Sequence, residues 1–513
     1  MQIKVVKNAK RNILFGSINK AIVMLCPFVQ RTIIQILLGA QYLGLSSLFT
    51  SILSVLSLAE LGFNSAVVYN MYKPAAEGQV DKVNALLNFY RKAYRVIGLV
   101  VIVIGALLIP FLPKLIKGTY PDDINITWLY LIYLGNSAIS YFLYAYMTSI
   151  LVVHQRDDIQ SSVNSVVTVF LTVLQAVVLL IARNYYLFVV MMLISTCVNN
   201  LWVAWRVHRL YPQYKPEGQI DQGSKTRIRK LVAGTFIQRA CAVTRNSLDS
   251  ICISAFLGLA LTAMYNNYYL IIHGVTTLMG VIGTAFMGGV GNHIATKTVE
   301  ENFREMQNLD FVYLWIGGWC SVCLVCLYQP FMQLWMGKEM MLDFPTVVLL
   351  VTYFYMLKLG DVRTLYSSGL GLWWEQRYRS ISETVLNLVL NIVLGILFGI
   401  KGIVSATIVS LFLCNYLWST RITFEKYFTI PRQKRYYTLH AKMTAVMIAS
   451  ACLTYFLCEQ IQLRGLIATC IVRLLICTIT PNALYIIVFR ETNEMIYMKK
   501  VLLKRFNQRI RII

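Results

Sequence analysis

Charged residues are scarce in this sequence of 513 residues. Only 14% are Asp, Glu, Lys or Arg, and 57% are hydrophobic, whereas about 25% of the residues in a soluble globular domain are charged. So few charges cannot cover the surface of a chain of this length with groups that water solvates well. The composition therefore excludes a soluble protein and predicts one that lies mostly in lipid.

Acidic residues and histidines are scarcer still. The chain has 23 Asp and Glu against 47 Lys and Arg, and only five histidines, none at the spacing of metal ligands. The run Cys320, Cys323 and Cys326 lacks the fourth ligand of an iron–sulfur motif. We therefore expect no catalytic residue, no metal site and no cofactor. A membrane glycosyltransferase, the alternative from another class, would need an acidic or histidine site in a large outer loop, and we find no such loop.

Long apolar stretches recur along the chain, each of about 20 residues or more and thus able to cross a hydrocarbon layer of ~30 Å. They are continuously apolar, so they predict helices rather than alternating strands. We predict an all-α polytopic membrane protein with about fourteen transmembrane helices. The predicted spans are 13–38, 43–71, 93–116, 126–153, 161–182, 186–205, 231–257, 262–290, 310–330, 346–370, 381–400, 402–420, 440–458 and 465–489.

The basic residues predict the orientation. Placing both termini in the cytoplasm puts most of the 47 Lys and Arg in cytoplasmic segments, as the positive-inside rule requires. No signal peptide is expected, because the apolar run behind Arg11 is too long. The net charge of +24 is thus explained by topology, and we expect no nucleic-acid partner.

Polar stretches divide the chain into blocks. We predict an N-lobe of six spans (1–206), a cytoplasmic linker (207–230), a C-lobe of six spans (231–420), and a final pair of helices with a basic amphipathic tail (421–513). Residues 75–95 also have amphipathic helical spacing and predict a helix on the membrane surface. The apolar and basic positions of the tail are Met495, Met498, Leu502 and Phe506, and Lys500 and Lys504.

The two six-span blocks resemble repeats. When Lys20 is aligned with Arg239, the dipeptide Leu38-Gly39 falls on Leu257-Gly258. Repeats in the same orientation are a common plan in transporters that alternate access to a midplane site.

Charges within the predicted spans are the most informative feature, since each costs about 2.5–3.5 kcal/mol at the bilayer centre. Lys20 and Arg31 project within about 20° of each other on span one, and Pro27 lies between them as a candidate hinge. Arg239 is the repeat partner of Lys20. Cations outnumber acids in the spans, which predicts a cavity for an anionic ligand such as a diphosphate. Snorkelling or structural pairing is the alternative.

Other charged residues have local explanations as well. Arg245 and Asp249 are i,i+4 neighbours, and Lys358 and Asp361 are i,i+3 neighbours, so each pair can neutralise itself. Arg363 is then left over as a further candidate for the cationic cavity, with Lys20, Arg31, Arg239 and Arg245. The carboxylates Glu60, Asp249 and Asp361 are candidates for coupling to H⁺ or Na⁺, and Glu60 could instead donate a hydrogen bond to a neighbouring helix when it is protonated.

Residues 37–94 resemble the start of Wzx-type polysaccharide and O-antigen flippases, which belong to the multidrug/oligosaccharidyl-lipid/polysaccharide exporter superfamily. Two further patches, 248–271 and PFMQLWMG at 330–337, are similar to the same family. The motifs in the first stretch are Leu38-Gly39, Gly44, Glu60-Leu61-Gly62, Tyr72-Lys73-Pro74 and Tyr90-Arg91-Lys92.

The resemblance implies two six-helix lobes in a MATE-like V and a bacterial inner (cytoplasmic) membrane location. It implies flipping of a polyprenyl-diphosphate-linked oligosaccharide, with membrane lipids, a polysaccharide polymerase and other assembly proteins as partners. Two extra C-terminal spans also occur in the lipid II flippase branch, so a peptidoglycan precursor is an alternative substrate. A cation or multidrug antiporter of the same fold is a further alternative.

Overall fold

The computed structural model describes residues 5–60, 63–461 and 465–499, which are almost entirely helical and contain no strand. The chain forms two compact units, Met1–Ala263 and Met264–Ile513. Among the described residues, ten helices are long and apolar enough to cross a membrane, and the bent pair Ile126–Phe142 and Ala145–Val153 would make an eleventh. The predicted class, a multi-pass α-helical membrane protein, is confirmed; the number fourteen stays a prediction.

The first unit contains nine helices among its described residues. They are α1 (Val5–Leu37), α2 (Ala40–Leu56), α3 (Phe63–Ala76), α4 (Val80–Leu108), α5 (Ile126–Phe142), α6 (Thr148–Val153), α7 (Asp157–Ala182), α8 (Tyr185–Leu210) and α9 (Gln222–Leu257). Helix α1 packs along α7, and α9 packs against α2 and α3. The connection between α8 and α9 is thus shorter than the predicted linker, because Asp221 caps a helix that already includes Lys225–Lys230.

The second unit holds the remaining helices, of which α10 begins in the first unit. They are α10 (Leu259–Thr296), α11 (Val299–Met336), α12 (Phe344–Leu359), α13 (Asp361–Gly369), α14 (Arg377–Ser410), α15 (Ser419–Thr423), α16 (Ile430–Glu459) and α17 (Leu466–Phe489), with π-helical segments at Leu411–Trp418 and Phe424–Phe428. Helices α11, α16 and α17 pack together. Their apolar contact contains Phe311, Met443 and Tyr485, all buried.

Two predicted spans are interrupted where hydropathy is continuous or nearly so. Span two is divided into α2 and α3 by a 3₁₀ turn at Ser57–Glu60. Within α14, Gly399 adopts φ 61° and ψ −138°, a conformation that favours glycine because a Cβ would clash there. This break lies one residue before the end of the predicted span 381–400, and α14 continues into the predicted span 402–420.

The predicted repeat has a local counterpart in the backbone. Gly39, between α1 and α2, has φ 100° and ψ 179°, and Gly258, between α9 and α10, has φ 96° and ψ 174°. These are the two glycines that the alignment of Lys20 with Arg239 superimposes. Both helix pairs are therefore joined by a glycine in the same left-handed conformation.

The predicted surface helix at 75–95 is wrong, and α4 explains why. Its apolar side chains are buried in the first unit, with Val83 and Leu87 fully inaccessible. The linker covers this part of α4, since the Asn88 amide donates to the carbonyl of Gly218 at 2.7 Å. In the tail, Met495 is buried in the second unit, and Lys500, Leu502, Lys504 and Phe506 lie outside the described residues.

Candidate cationic site

Four of the five predicted cavity cations lie on α1 and α9 of the first unit. Lys20 and Arg31 are on α1, and Arg239 and Arg245 are on α9. Helix α2 contacts both of these helices. The fold thus places the four cations on two helices that flank a third, and whether they bind a substrate stays a prediction.

Arg31 lies among polar groups. Its guanidinium donates to the hydroxyl of Ser47 on α2 at 3.4 Å and to the carbonyl of Ala263 at 3.3 Å. Tyr133 and Tyr185 interact electrostatically with it, and their hydroxyls are 3.0 Å apart. These contacts connect Arg31 of α1 with residues of α2, α5, α8 and α10.

Lys20 and Arg239 are exposed. The Arg239 guanidinium donates to the hydroxyl of Ser65 on α3 at 3.4 Å, a weak contact. Nearby on α1, the Asn19 side chain accepts from Asn164 of α7 at 2.9 Å, so this helix uses one side to pack on α7 and presents Lys20 on another. Two accessible cations are therefore available to an anion from outside the unit.

Arg245 and Asp249 are buried in α9, with 8% and 3% of their surfaces exposed. Arg245 Nε donates to the side-chain oxygen of Asn246 at 3.4 Å. Their pairing with each other stays a prediction. Pro27 lies within the continuous helix α1, and its role as a hinge also stays a prediction.

Glu60 lies in the 3₁₀ turn that interrupts the second span, and it bonds a neighbouring helix. Tyr94 of α4 donates to its carboxylate at 2.6 Å and receives a hydrogen bond from Tyr90 at 2.8 Å. Glu60 thus accepts a hydrogen bond from a neighbouring helix, whereas the sequence analysis expected it to donate one, and its role in ion coupling stays a prediction. Leu61 and Gly62, the rest of the motif, lie outside the described residues.

Arg363, the fifth predicted cation, lies in the second unit and is 1% exposed. Its guanidinium donates to the Asn415 carbonyl at 2.6 Å and to the Thr420 hydroxyl at 3.0 Å. These acceptors lie in and just after the π-helical segment Leu411–Trp418. We therefore assign Arg363 to holding that segment and leave it out of the site proposed below.

The pairing of Lys358 with Asp361 is confirmed. Lys358 Nζ lies 2.6 Å from Asp361 Oδ2, and the hydroxyl of Tyr313 donates to the same oxygen at 2.6 Å. Asp361 is 38% exposed while Lys358 is 3% exposed. Its role in ion coupling stays a prediction.

The sequence reasoning missed three buried groups that the fold brings together with distant partners. Asp158, at the start of α7, forms ion pairs with Arg11 at 2.8 Å and Arg156 at 2.9 Å. Asp310 and His440 face each other across α11 and α16 at 3.5 Å. Asp310 and His440 lie at the ends of predicted spans, where polar residues are common and do not indicate a site. They are neighbours only because α11 packs on α16.

Cys326 belongs to a cluster that its sequence motif does not indicate. The sulfur atoms of Cys326, Cys458 and Cys477 lie within 4.8 Å of one another, and their neighbours are apolar side chains such as Val322 and Ile476. The cluster thus joins α11, α16 and α17 through thiols in an apolar core.

Beside these helices lies an apolar cavity of about 360 Å³ in the second unit. Ile271 and Val275 of α10, Trp319 and Leu327 of α11, and Leu474 of α17 line it. Almost all of its wall is carbon and sulfur, which suits a hydrocarbon chain and offers little to a sugar.

Comparisons with known proteins found a matching family model and solved structures with a similar fold. A family model described as "polysaccharide biosynthesis protein" matches residues 9–288. No curated protein sequence matches the chain. Three solved structures share the fold at low sequence identity.

The lipid II flippase MurJ, in an inward closed conformation, matches with a TM-score of 0.67 and 14% identity, over 93% of this chain and 99% of its own. An inward-facing MATE-family multidrug resistance transporter of the MOP superfamily matches with a TM-score of 0.61 and 12% identity, over 81% of this chain and 98% of its own. A MOP superfamily transporter from Pyrococcus furiosus, described as having a binding pocket of reverse polarity, matches with a TM-score of 0.53 and 12% identity, over 82% of this chain and 96% of its own.

Proposed function

The chain belongs to the polysaccharide biosynthesis protein family, and we propose from this that it is a flippase for a polyprenyl-diphosphate-linked oligosaccharide of a bacterial surface polysaccharide. It works in the inner membrane, with both termini in the cytoplasm. The MATE-like and MurJ-like fold supports transport by alternating access. The single observation that carries the proposal is the set of cations on α1 and α9. It gains its meaning from the family, which is one of polysaccharide biosynthesis.

The diphosphate binds to Lys20, Arg31, Arg239 and Arg245 in this proposal. Arginine suits it because the guanidinium makes two parallel hydrogen bonds to phosphate oxygens. The exposure of Lys20 and Arg239 supports their access to a ligand, and Arg31 lies on the same helix as Lys20. The apolar cavity beside α10, α11 and α17 offers the polyprenyl chain a site that excludes water.

A lipid II flippase is the second candidate. The observation that favours it is the match to MurJ, which covers more of this chain than the MATE transporters do. Both substrates present a diphosphate between a sugar and a polyprenyl chain, so the same cations serve either one. Their discrimination depends on the sugar.

The test is leaflet transfer in proteoliposomes. Purified protein is reconstituted with a fluorescent polyprenyl-diphosphate oligosaccharide in one arm and with fluorescent lipid II in the other. Arg239→Glu places a carboxylate where the diphosphate binds, and Lys82→Glu is the matched control, because Lys82 is exposed on α4 outside the predicted spans. We expect transfer of the oligosaccharide lipid, its loss in Arg239→Glu and its retention in Lys82→Glu.

Other outcomes decide among the alternatives. Transfer of lipid II in place of the oligosaccharide lipid would assign the second candidate. Transfer that survives Arg239→Glu would keep the function and remove Arg239 from the site. Export of a cationic dye without any lipid transfer would favour an antiporter.

A further inference from the structure

The contact between α11 and α16 in the second unit contains a buried carboxylate and a buried imidazole. The side chains of Asp310 and His440 are each 1% exposed. Among the described residues, neither oxygen of the carboxylate and neither nitrogen of the ring has a hydrogen-bond partner. Buried polar atoms without partners are rare, because burial removes their hydrogen bonds to water and leaves nothing in their place.

The two groups are placed to satisfy each other. His440 Nε2 lies 3.5 Å from Asp310 Oδ2, slightly beyond the usual N–H···O distance of about 2.9 Å. A proton held between the two groups would join them in a charge-assisted hydrogen bond. Without the added proton, the neutral ring has a single N–H, and a hydrogen bond from it to the carboxylate would have an uncharged donor.

The surroundings set the charge of the site. Lys358 and Asp361 neutralise each other at 2.6 Å, and Arg363 is the cation that interacts with Asp310. The tyrosines that face the pair come from α13, from the π-helical segment and from α16. They are Tyr366, Tyr416 and Tyr436.

This arrangement is neutral when Asp310 is ionised and His440 is not. One added proton then changes the charge of a buried region from zero to plus one. In a membrane-embedded protein such a change has a large electrostatic consequence, because the low dielectric screens it poorly. The pair is therefore suited to sensing the proton gradient.

A metal ion fits the site less well than a proton. Sodium and other hard cations take several oxygen ligands, and zinc takes three or four protein ligands. The only set of three or more His, Cys, Asp and Glu ligands that the described residues bring together is the cysteine cluster, which does not include this pair.

We propose that Asp310 and His440 form a proton-binding pair, and that the proton shared between α11 and α16 couples transport to the proton gradient. The coupling rests on the transport function proposed above, and the proton binding does not. The pair is distinct from Glu60, Asp249 and Asp361, the carboxylates that the sequence offered for this role.

Proton binding is measured on substrate-free protein in nanodiscs. The chain has five histidines, so ¹⁵N-labelled histidine gives few ring resonances, and His440→Gln identifies the signal of His440. Over the pH range in which the protein stays folded, we expect acidification to change this signal from that of neutral imidazole to that of imidazolium. In Asp310→Asn we expect it to stay neutral over the same range, because no carboxylate remains to stabilise the buried cation. Exposed His208 serves as the internal control, because its signal should be the same in the wild type and in Asp310→Asn.

The exchange Asp310→His/His440→Asp keeps both groups and guards against misfolding of the single variants. Its new ring at position 310 should titrate as His440 does in the wild type. Proton binding by the pair would be overturned if the His440 ring of the wild type stays neutral on acidification. It would also be overturned if the ring becomes protonated in Asp310→Asn as it does in the wild type.

Coupling is measured separately in the proteoliposome assay. An imposed pH gradient should change the rate of lipid transfer by the wild type and leave the rate of Asp310→Asn unchanged. If the pH gradient changes the rate of lipid transfer equally in the wild type and in Asp310→Asn, the coupling is overturned. Proton binding is decided separately, by the histidine resonances. If the wild type transfers no lipid, both the proposed function and the coupling are refuted. That result would not affect proton binding by Asp310 and His440, which the resonances test.

Discussion

Arg239 and Arg363 carry the same charge in opposite surroundings. Arg239 is exposed and makes one weak contact with Ser65. Arg363 is buried and donates to Asn415 and Thr420. Sequence reasoning grouped both as cavity cations, Arg239 because it is the repeat partner of Lys20, and Arg363 because the pairing of Lys358 with Asp361 leaves it over. The carbonyl acceptors of Arg363 could not be predicted, since backbone groups leave no signal in a side-chain pattern.

This difference predicts opposite effects of the same substitution. Arg363→Gln removes donors from buried carbonyl and hydroxyl acceptors, and we expect it to reduce stability by on the order of 3 kcal/mol. Arg239→Gln should change stability by less than about 0.5 kcal/mol and should slow lipid transfer. Thermal unfolding in detergent and the proteoliposome assay measure the two effects. An Arg363→Gln protein that is as stable as the wild type but inactive would instead place Arg363 in the substrate site.

The helices themselves follow from the sequence more reliably than their contacts do. Continuous hydropathy predicted a multi-pass helical protein, and charge patterning predicted the pairing of Lys358 with Asp361. The sequence analysis missed the 3₁₀ turn at Ser57–Glu60. A turn inside a span that is stabilised by the surrounding helices does not require a run of polar residues, so hydropathy does not reveal it. The Asp310–His440 pair was missed for a different reason: its partners are far apart in the chain and meet only through helix packing.

Close packing between α11 and α17 depends on one glycine. A Cβ added to Gly318 would lie 2.2 Å from the hydroxyl oxygen of Tyr485 and 3.2 Å from its Cζ. That ring is fully buried and stacked on Trp315, so it cannot move aside. The neighbouring Gly317 has its nearest atom at 3.4 Å.

We therefore expect Gly318→Ala to destabilise the protein by about 1–3 kcal/mol through overpacking. Gly317→Ala is the matched control and should be neutral or slightly stabilising, because alanine favours a helix over glycine. Since the hydroxyl makes the closest clash, Gly318→Ala/Tyr485→Phe should regain much of the loss. Thermal unfolding of the four proteins tests this, and equal stability of the two glycine variants would contradict it.

At the scale of the whole molecule, sequence and structure divide the chain at different places. The polar linker predicts a division at 207–230, between two lobes of six spans. The compact units instead divide after Ala263, because α9 packs against α2 and α3. Hydropathy marks where the chain leaves the membrane, and it contains no information on which earlier helices a later helix contacts. The predicted lobes describe a repeat, and the compact units describe packing in this structure.

Cleavage of the linker distinguishes the two divisions. A protease site inserted between the exposed residues Glu217 and Gly218 separates α1–α8 from α9 and everything after it. We expect the two fragments to co-elute in mild detergent, because α9 remains packed in the first unit. The control is Gly44→Val in the same cleaved protein: a Cβ at this position of α2 would lie 2.2 Å from the carbonyl oxygen of Leu259, in the first turn of α10. Its fragments should separate more readily. Two outcomes would contradict this prediction: the fragments separate at once without Gly44→Val, or they stay together equally well with it. Either would show that α9 does not hold the first unit together and would favour the division at the linker.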